Sequence, residues 1–447
     1  MFRAASSTRP LFPMSPSPVE HPQSVDHLTR TVSCVGPAQV NLARFEPRLM
    51  VALFGVAAST QSPSPVLLFY TDRLGLGAIE LTVFFSVYAL GLVPSLLLGG
   101  PYSDRYGRRT VVVPISLLSV VALLVLVFAD VAGQPALLIG RFLQGVTSGA
   151  VFTVGTVWMR ELAGRERAAA AAMRAAAAMA VGFAVGPFIA GVLVQWAPWP
   201  TVLPFAVPLG LVFLAYFLAR TVPETMTVRR PGRLEIGIPP GAGRGFVLYL
   251  LPVGLLVYTF AVLSLTVFPL LVARAGFGAT LFLVGVMALI VQGSAALATP
   301  LAKRLRPGPS GPLAAVLAAV GCWFGYLAVQ QGGWGWALPA SLAIGVSEGL
   351  AMTSGITVAD LLAPPHRRGG LVSVFYLVVY FGFLVPTILV LLSGDSLFSG
   401  VPILVLGGCA LVITGVLGFP GRRLVNQIAP APAATNVGAG RRTRSTS

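Results

Sequence analysis

Charge is scarce in this chain. Only 14 of 447 residues are acidic, and charged residues of all kinds make up 10%, against about 25% in soluble domains. Lysine is nearly missing: among 30 basic residues, Lys303 alone is not arginine. A nucleotide-binding P-loop has the form G-x-x-x-x-G-K-[ST]. Lys303 is followed by Arg304 and lacks the preceding glycine frame, so the chain carries no such ATPase site. Cysteine is rare too. Cys34, Cys322 and Cys409 lie far apart, make neither a metal spacing nor a CxxC pair, and read as small apolar fillers. The three histidines, His21, His27 and His366, all fall outside the apolar runs. With no nucleophile–base pair and no ligand cluster within those runs, neither an enzyme nor a cofactor is expected.

What the sequence has in excess is apolar surface: 56% of residues are hydrophobic. A soluble fold of this size has to show much of its surface to water and could not hide so much, whereas a bilayer takes the place of water around apolar faces. A spanning helix needs about 20 mostly apolar residues. Twelve such runs are expected, near 49–70, 81–101, 110–131, 135–158, 172–195, 200–220, 246–271, 280–301, 312–331, 335–358, 370–393 and 400–419. The longest polar connection, 221–245, divides them into two domains of six helices, 48–220 and 246–420. Residues 1–47 are rich in Pro, Ser and Arg without an apolar core of signal length. They read, like 421–447, as a disordered tail.

The net charge of +16 does not point to nucleic acid, because a phosphate-binding patch needs a solvated domain to present it. The arginines instead occupy alternate loops. Arg105, Arg108 and Arg109 follow the second run; Arg160, Arg165, Arg167 and Arg174 surround the loop after the fourth. Arg220, Arg229, Arg230, Arg233 and Arg244 lie in or beside the central connection. Lys303, Arg304 and Arg306 follow the eighth run, and Arg367 and Arg368 the tenth. The intervening loops keep only Arg73 and Arg274. By the positive-inside rule this alternation predicts that both termini are cytoplasmic.

Two charges fall inside spans, where they are costly and usually face a cavity or a partner. Arg141, in IGRFLQGVTSGA, keeps its proton at any relevant pH. Either it lines an aqueous cavity and couples to proton or substrate movement, or it snorkels to an interface. Glu348, in LAIGVSEGLAM, is the acid well inside a span. A carboxyl in a low-dielectric cavity can load and release a proton near neutral pH; the alternative is a structural hydrogen-bonding partner. Gln61, Gln144, Gln292 and Ser347 also lie in runs and either line a cavity or bond between helices. Gly182 and Gly186 have the small-xxx-small spacing of close helix packing. Pro94, Pro187, Pro204 and Pro386 permit kinks. Aromatic residues crowd the seventh and eleventh runs, among them Tyr249, Tyr258, Phe260, Phe375, Tyr376, Tyr380, Phe381 and Phe383. They line a pocket or face lipid.

The loop after the second run reads Gly100-Pro-Tyr-Ser-Asp104-Arg105-Tyr-Gly107-Arg108-Arg109. It resembles the signature loop of the major facilitator superfamily, G-x-x-x-D-[RK]-x-G-[RK]-[RK], with Tyr102 where a smaller or aliphatic residue is usual. Arg141-Phe-Leu-Gln144-Gly145 is similar to the R-x-x-x-G segment that the family ties to proton coupling. Pro223-Glu224-Thr225 is similar to the P-E-T that ends many sixth helices. Gly182-Phe-Ala-Val-Gly186-Pro187-Phe-Ile-Ala190-Gly191 resembles the G-x-x-x-G-P-x-x-G-G segment of drug/proton antiporters, with Ala190 replacing one glycine.

The resemblance covers residues 48 to 420. It implies an all-α integral membrane fold of twelve helices in two pseudo-symmetric six-helix bundles, each with inverted three-helix repeats. It also implies that Gly100, Asp104, Arg105, Gly107, Arg108 and Arg109 form a latch between the halves on the cytoplasmic side. The segment Pro300–Gly308 is the second-half counterpart of 101–109 but lacks the aspartate. The expected function is proton-coupled efflux of drugs or other small organic molecules by alternating access. Glu348 and Arg141 would couple the proton, and Gln61, Gln144, Gln292, Tyr258, Tyr376 and Tyr380 would line the substrate cavity. The expected partners are a small-molecule substrate, protons and lipid, with no nucleic acid, and the carrier is expected to be a monomer in a bacterial inner membrane. An uptake symporter or facilitator for a sugar or organic acid is the alternative. A sugar site would want more Asn and Gln in the spans than are present. A sensor or scaffold is the third reading, and it would show no substrate-dependent proton flux.

Overall fold

The computed structural model describes residues 42–226, 236–274, 276–364 and 367–428. Cys34, His21, His27, His366, Arg229, Arg230 and Arg233 lie outside them. Every regular element among the described residues is helical, and twelve helices are long and apolar enough to span a bilayer. The first half comprises α1 (Leu42–Thr71), α2 (Ala78–Tyr106), α3 (Arg108–Val127), α4 (Gln134–Ala163), α5 (Arg165–Trp196) and α6 (Leu203–Arg220). The second comprises α7 (Gly243–Ala273), α8 (Thr280–Leu305), α9 (Pro307–Gln330), α10 (Trp334–Leu362), α11 (Arg368–Ser393) and α12 (Val401–Ile428).

Local chemistry sets the punctuation. Gly107, Gly133 and Gly164 take positive φ between successive helices, a region open to glycine at little cost. Pro135, Pro204, Pro307 and Pro402 stand in the first turns of α4, α6, α9 and α12, where the missing N–H leaves nothing unpaired. Pro204 is therefore a helix starter and not a kink within α6. Many helices outrun their apolar stretches on the arginine-rich face: α2 continues to Tyr106, α4 to Ala163 and α8 to Leu305. Hydropathy marks where a helix leaves lipid, not where its hydrogen bonding ends. For the same reason the chain is helical from Leu42 and again through Ile428, so residues 42–47 and 421–428 are not disordered tail. The rest of both tails lies outside the described residues.

The two halves pack through small residues. A Cβ on Gly191 of α5 would sit 3.0 Å from the Leu281 carbonyl oxygen and 3.1 Å from Gly285 Cα of α8. The same helix presses on α1, where a Cβ on Gly186 would lie 2.2 Å from the Ala58 carbonyl oxygen. One apolar core fills the second half and extends into the first around Leu81, Phe85, Leu126 and Val194, toward the arginine-poor face. A separate core of the first half, with Leu53, Val154 and Trp158, lies toward the arginine-rich face.

The second-half counterpart of the arginine-rich loop keeps its backbone. Gly107 adopts φ 109° and ψ 154° before α3; Arg306, at the equivalent place before α9, adopts φ 66° and ψ 161°. Glycine enters that region freely and other residues do so under strain.

Candidate functional site

α1 carries the sequence Ser59-Thr-Gln-Ser62-Pro63-Ser-Pro65, and its regular hydrogen bonding lapses at Ser62. Proline has no N–H to donate, so Pro63 leaves the Ser59 carbonyl without its i+4 donor. Two donors fill the vacancy: the Ser62 hydroxyl at 2.9 Å and Gln144 Nε2 of α4 at 2.8 Å. The next carbonyl, that of Thr60, accepts from Arg141 Nη1. Arg141 Nη1 also donates to Gln144 Oε1 at 3.2 Å, and Nη2 to Gln61 Oε1 at 3.2 Å. Ser148 and Thr60 join hydroxyls at 2.8 Å beside them.

Arg141 is fully buried, and among the described residues no carboxylate pairs with it. Three rings of α2 surround its guanidinium, with centroids 5.0 Å (Phe84), 5.1 Å (Phe85) and 4.4 Å (Tyr88) from Cζ. A desolvated cation–π contact is worth about 2 kcal/mol or more, so faces and carbonyls stand in for a counter-ion. Nε has no hydrogen-bond partner. Sequence reasoning found Arg141, Gln61 and Gln144 but missed Ser59, Thr60 and the rings. Phe84, Phe85 and Tyr88 fall at i, i+1 and i+4 on one helix and could have been noticed, but not their orientation toward Arg141.

Glu348 sits on α10, buried, with Oε2 unpartnered. Gln292 of α8 lies beside it, and Tyr258 of α7 is within electrostatic reach. Tyr258 stacks on Tyr380 at 5.4 Å, and Tyr380 on Tyr376 at 6.2 Å. Phe383 closes the cluster, 4.7 Å from Tyr258 and 5.8 Å from Tyr88. A path of ring contacts therefore runs from Arg141 through Tyr88, Phe383 and Tyr258 to the neighbourhood of Glu348. The two buried charges form no ion pair. The six expected cavity residues divide accordingly: Gln61 and Gln144 hold Arg141, while Gln292, Tyr258, Tyr376 and Tyr380 gather in the second half. Tyr249 stands apart, its hydroxyl donating to the Pro307 carbonyl, and Phe381 is exposed.

The arginine-rich loop forms a network within the first half. Asp104 pairs with Arg108 at 2.6 Å, and Arg108 with Glu161 at the end of α4 at 2.9 Å. Arg108 Nη1 also donates to Ser103 Oγ at 2.5 Å, and that hydroxyl donates to the Gly100 carbonyl at 2.8 Å. Glu224, beyond α6, accepts from the backbone N–H groups of Arg108 at 3.0 Å and Arg109 at 2.9 Å. A carboxylate there caps the amino end of α3 and meets its positive dipole end. Gly107 is needed twice, for its positive φ and because a Cβ would lie 2.5 Å from Glu224 Oε2. Thr225 donates to Glu161, and Arg105 lies over the Tyr106 ring at 5.3 Å. A latch joining the halves was expected. Among the described residues these ion pairs instead tie α2, α3, α4 and the end of α6 together, and none reaches the second half. A polar approach between halves on this face is the long Lys303 Nζ–Met173 Sδ one of 4.0 Å. Glu161 was missed, because nothing in its spacing marks it.

Gly182, Gly186, Pro187 and Gly191 act in packing. Gly182 and Gly186 abut Phe54 and Ala58 of α1, while the Pro187 carbonyl and Gly191 abut Gly285 of α8. One helix is thereby tied closely to both halves.

Twelve spanning helices around two buried, unpaired ionisable side chains define a multi-pass membrane protein. The sequence profile of the Major Facilitator Superfamily matches residues 49–387, and the chain belongs to that superfamily. It is 33% identical over 196 residues to the methylenomycin A resistance protein of Bacillus subtilis (strain 168), covering 40% of this chain and 41% of that protein. It is 26% identical over 149 residues to the multidrug resistance protein MdtL of Shewanella oneidensis, covering 33% of this chain and 37% of that protein. The chain thus spans well under two thirds of the length of these relatives. Among solved structures, a POT family transporter in complex with a thioalcohol conjugated peptide superposes with TM-score 0.71 at 16% identity, over 86% of this chain and 97% of that one. A D-xylose–proton symporter does so with TM-score 0.62 at 18% identity, over 87% and 98%. These show the shared fold of two pseudo-symmetric six-helix bundles.

Proposed function

We propose that the chain exports small organic molecules in exchange for protons, by alternating access of its two halves about the aromatic cluster between Arg141 and Glu348. One observation carries the reading: Glu348 is a buried carboxyl with an oxygen that no protein group satisfies. Protonated, such a group is neutral and tolerable in a low-dielectric interior; ionised, it requires water or a ligand. A proton and a substrate competing for it would be exchanged across the membrane. Arg141 keeps its charge and is held by α1 and α2, so it sets a constant positive potential on the first-half side. The relatives named for methylenomycin and multidrug resistance support export over uptake. The arginine-rich face is assigned to the cytoplasm, with both termini there and the protein in a bacterial inner membrane, acting as a monomer.

The test is proton flux in liposomes containing the purified protein, read with a pH-sensitive dye against lipophilic cations and neutral antibiotics. Substrate addition should dissipate an imposed pH gradient, and Glu348→Gln should reduce that response at least tenfold while the protein stays folded. Silence with every compound would bring uptake or facilitated diffusion of a metabolite forward. Flux unchanged in Glu348→Gln would leave the carboxyl a structural role.

A further inference from the structure

α11 is not one continuous helix. It runs from Arg368 to Phe381 and resumes at Leu384. Pro386 has no N–H to return to the Gly382 carbonyl. That carbonyl instead receives the Val385 N–H at 3.3 Å and the Thr259 hydroxyl at 3.4 Å. Gly382 also packs tightly against α7, since a Cβ there would lie 3.0 Å from Thr259 N. Phe383 stands in this break.

Its backbone is held by the other half of the molecule. Ser86 of α2 donates to the Phe383 carbonyl at 3.2 Å and joins hydroxyls with Thr387 at 2.9 Å. Its ring is 2% exposed and touches Tyr88 of the first half and Tyr258 and Tyr380 of the second, the last at 6.1 Å. The two ends of the aromatic path are an arginine held by oxygens and rings at both terminal nitrogens and a carboxyl with a free oxygen. Along this path Phe383 is the ring that joins the two halves, and Tyr258 follows it toward Glu348.

We propose that Phe383 is the specificity-determining residue of the transport site: its ring fills the place between Tyr88 and Tyr258 that a flat aryl group of the substrate takes over. The proposal rests on the transport reading above and names the part of the site that limits substrate size. The exchange needs only rotation of the ring about its side-chain torsions, while the Phe383 backbone stays held by its N–H bond to the Tyr380 carbonyl at 3.1 Å and by Ser86.

The experiment measures apparent Kd by ligand-induced thermal shift of the purified full chain. The probes are benzyltrimethylammonium, ethidium and tetraphenylphosphonium, in order of size. Wild type and Phe383→Ala, Phe383→Leu and Phe383→Trp are compared; Phe383→Leu keeps an apolar side chain in case Phe383→Ala unfolds. Affinity for the two larger probes should rise at least tenfold in Phe383→Ala and by a smaller factor in Phe383→Leu, and fall at least tenfold in Phe383→Trp. The smallest probe should change less than threefold. Equal affinities across all four proteins overturn the proposal. So does the absence of any shift in wild type and variants alike, because a site that accepts no aryl probe with the ring removed is not limited by that ring. Binding that follows the expected order without proton flux would leave this assignment standing and sink the antiport reading alone.

Discussion

At the scale of single residues, geometry separates side chains that composition treats alike. Arg141 and Arg108 are both buried arginines, yet one is met by carbonyls and ring faces and the other by two carboxylates. Lysine offers a point charge and no planar fork. Arg141→Lys should therefore lower substrate-driven proton flux at least tenfold with little change in melting temperature; flux within twofold of wild type would show that charge alone suffices there. Arg306 makes the opposite kind of prediction. Its φ of 66° with ψ of 161° lies in a region that costs a non-glycine residue about 1–3 kcal/mol. Glycine would relieve that at a smaller entropic cost in the unfolded chain. Arg306→Gly should stabilise the protein by about 1 kcal/mol in thermal unfolding in detergent, and a lowered melting temperature would mean that the arginine side chain makes up for the strain.

At the scale of helices, close approach and proline breaks carry the argument. Gly186→Ala places a methyl 2.2 Å from a carbonyl oxygen of α1. It should destabilise by about 1–3 kcal/mol, as overpacking does. Gly210→Ala in α6, where a Cβ meets nothing within 4 Å, should instead stabilise by about 0.5 kcal/mol in the same thermal assay. Pro63→Ala returns an N–H to the Ser59 carbonyl and sets it in competition with Gln144. Transport should fall while stability holds or rises; unchanged transport would make the break in α1 incidental. The twelve helices were legible because apolar runs of spanning length interrupted by arginine-bearing loops have few other readings. Their ends were not, since α2, α4 and α8 continue past the lipid-compatible stretch. The break in α1 was written in Ser62-Pro63-Ser-Pro65 but lay inside an otherwise apolar run. Arg141 and Glu348 stood out because a charge in such a run is rare. Their surroundings could not be read, because the rings that reach Arg141 come from α2 and those near Glu348 from α7 and α11. Which face of a helix meets which neighbour depends on rotations that hydropathy does not encode.

At the scale of the whole molecule, the halves pack along α5 against α8 and α2 against α7 and α11, and a few polar bonds punctuate these contacts. Ser86 meets Phe383 and Thr387, Gly191 meets Gly285, and Gln195 Nε2 donates to the Gly278 carbonyl at 3.2 Å. The ion pairs of the arginine-rich loop stay inside the first half, so Glu224→Gln should lower the stability of that half and leave the contacts between halves intact. Limited proteolysis checks this: cleavage should increase around 100–110 and not around 300–310. The turn before α3 and its counterpart before α9 share one backbone shape, but only the first is relaxed and held by charged groups, Glu224 and Arg108 with Asp104 and Glu161, whereas neutral bonds from Tyr249 and Ser310 hold the second. The second bears an arginine in a glycine conformation, and the bonds to its own carbonyl come from Ser310. On these contacts the first turn is expected to be the stiffer joint and the second the more compliant one. Amide hydrogen exchange should be faster over 303–310 than over 104–111, and an opening motion that begins at that looser joint would make the second half the one that moves while the first serves as its frame.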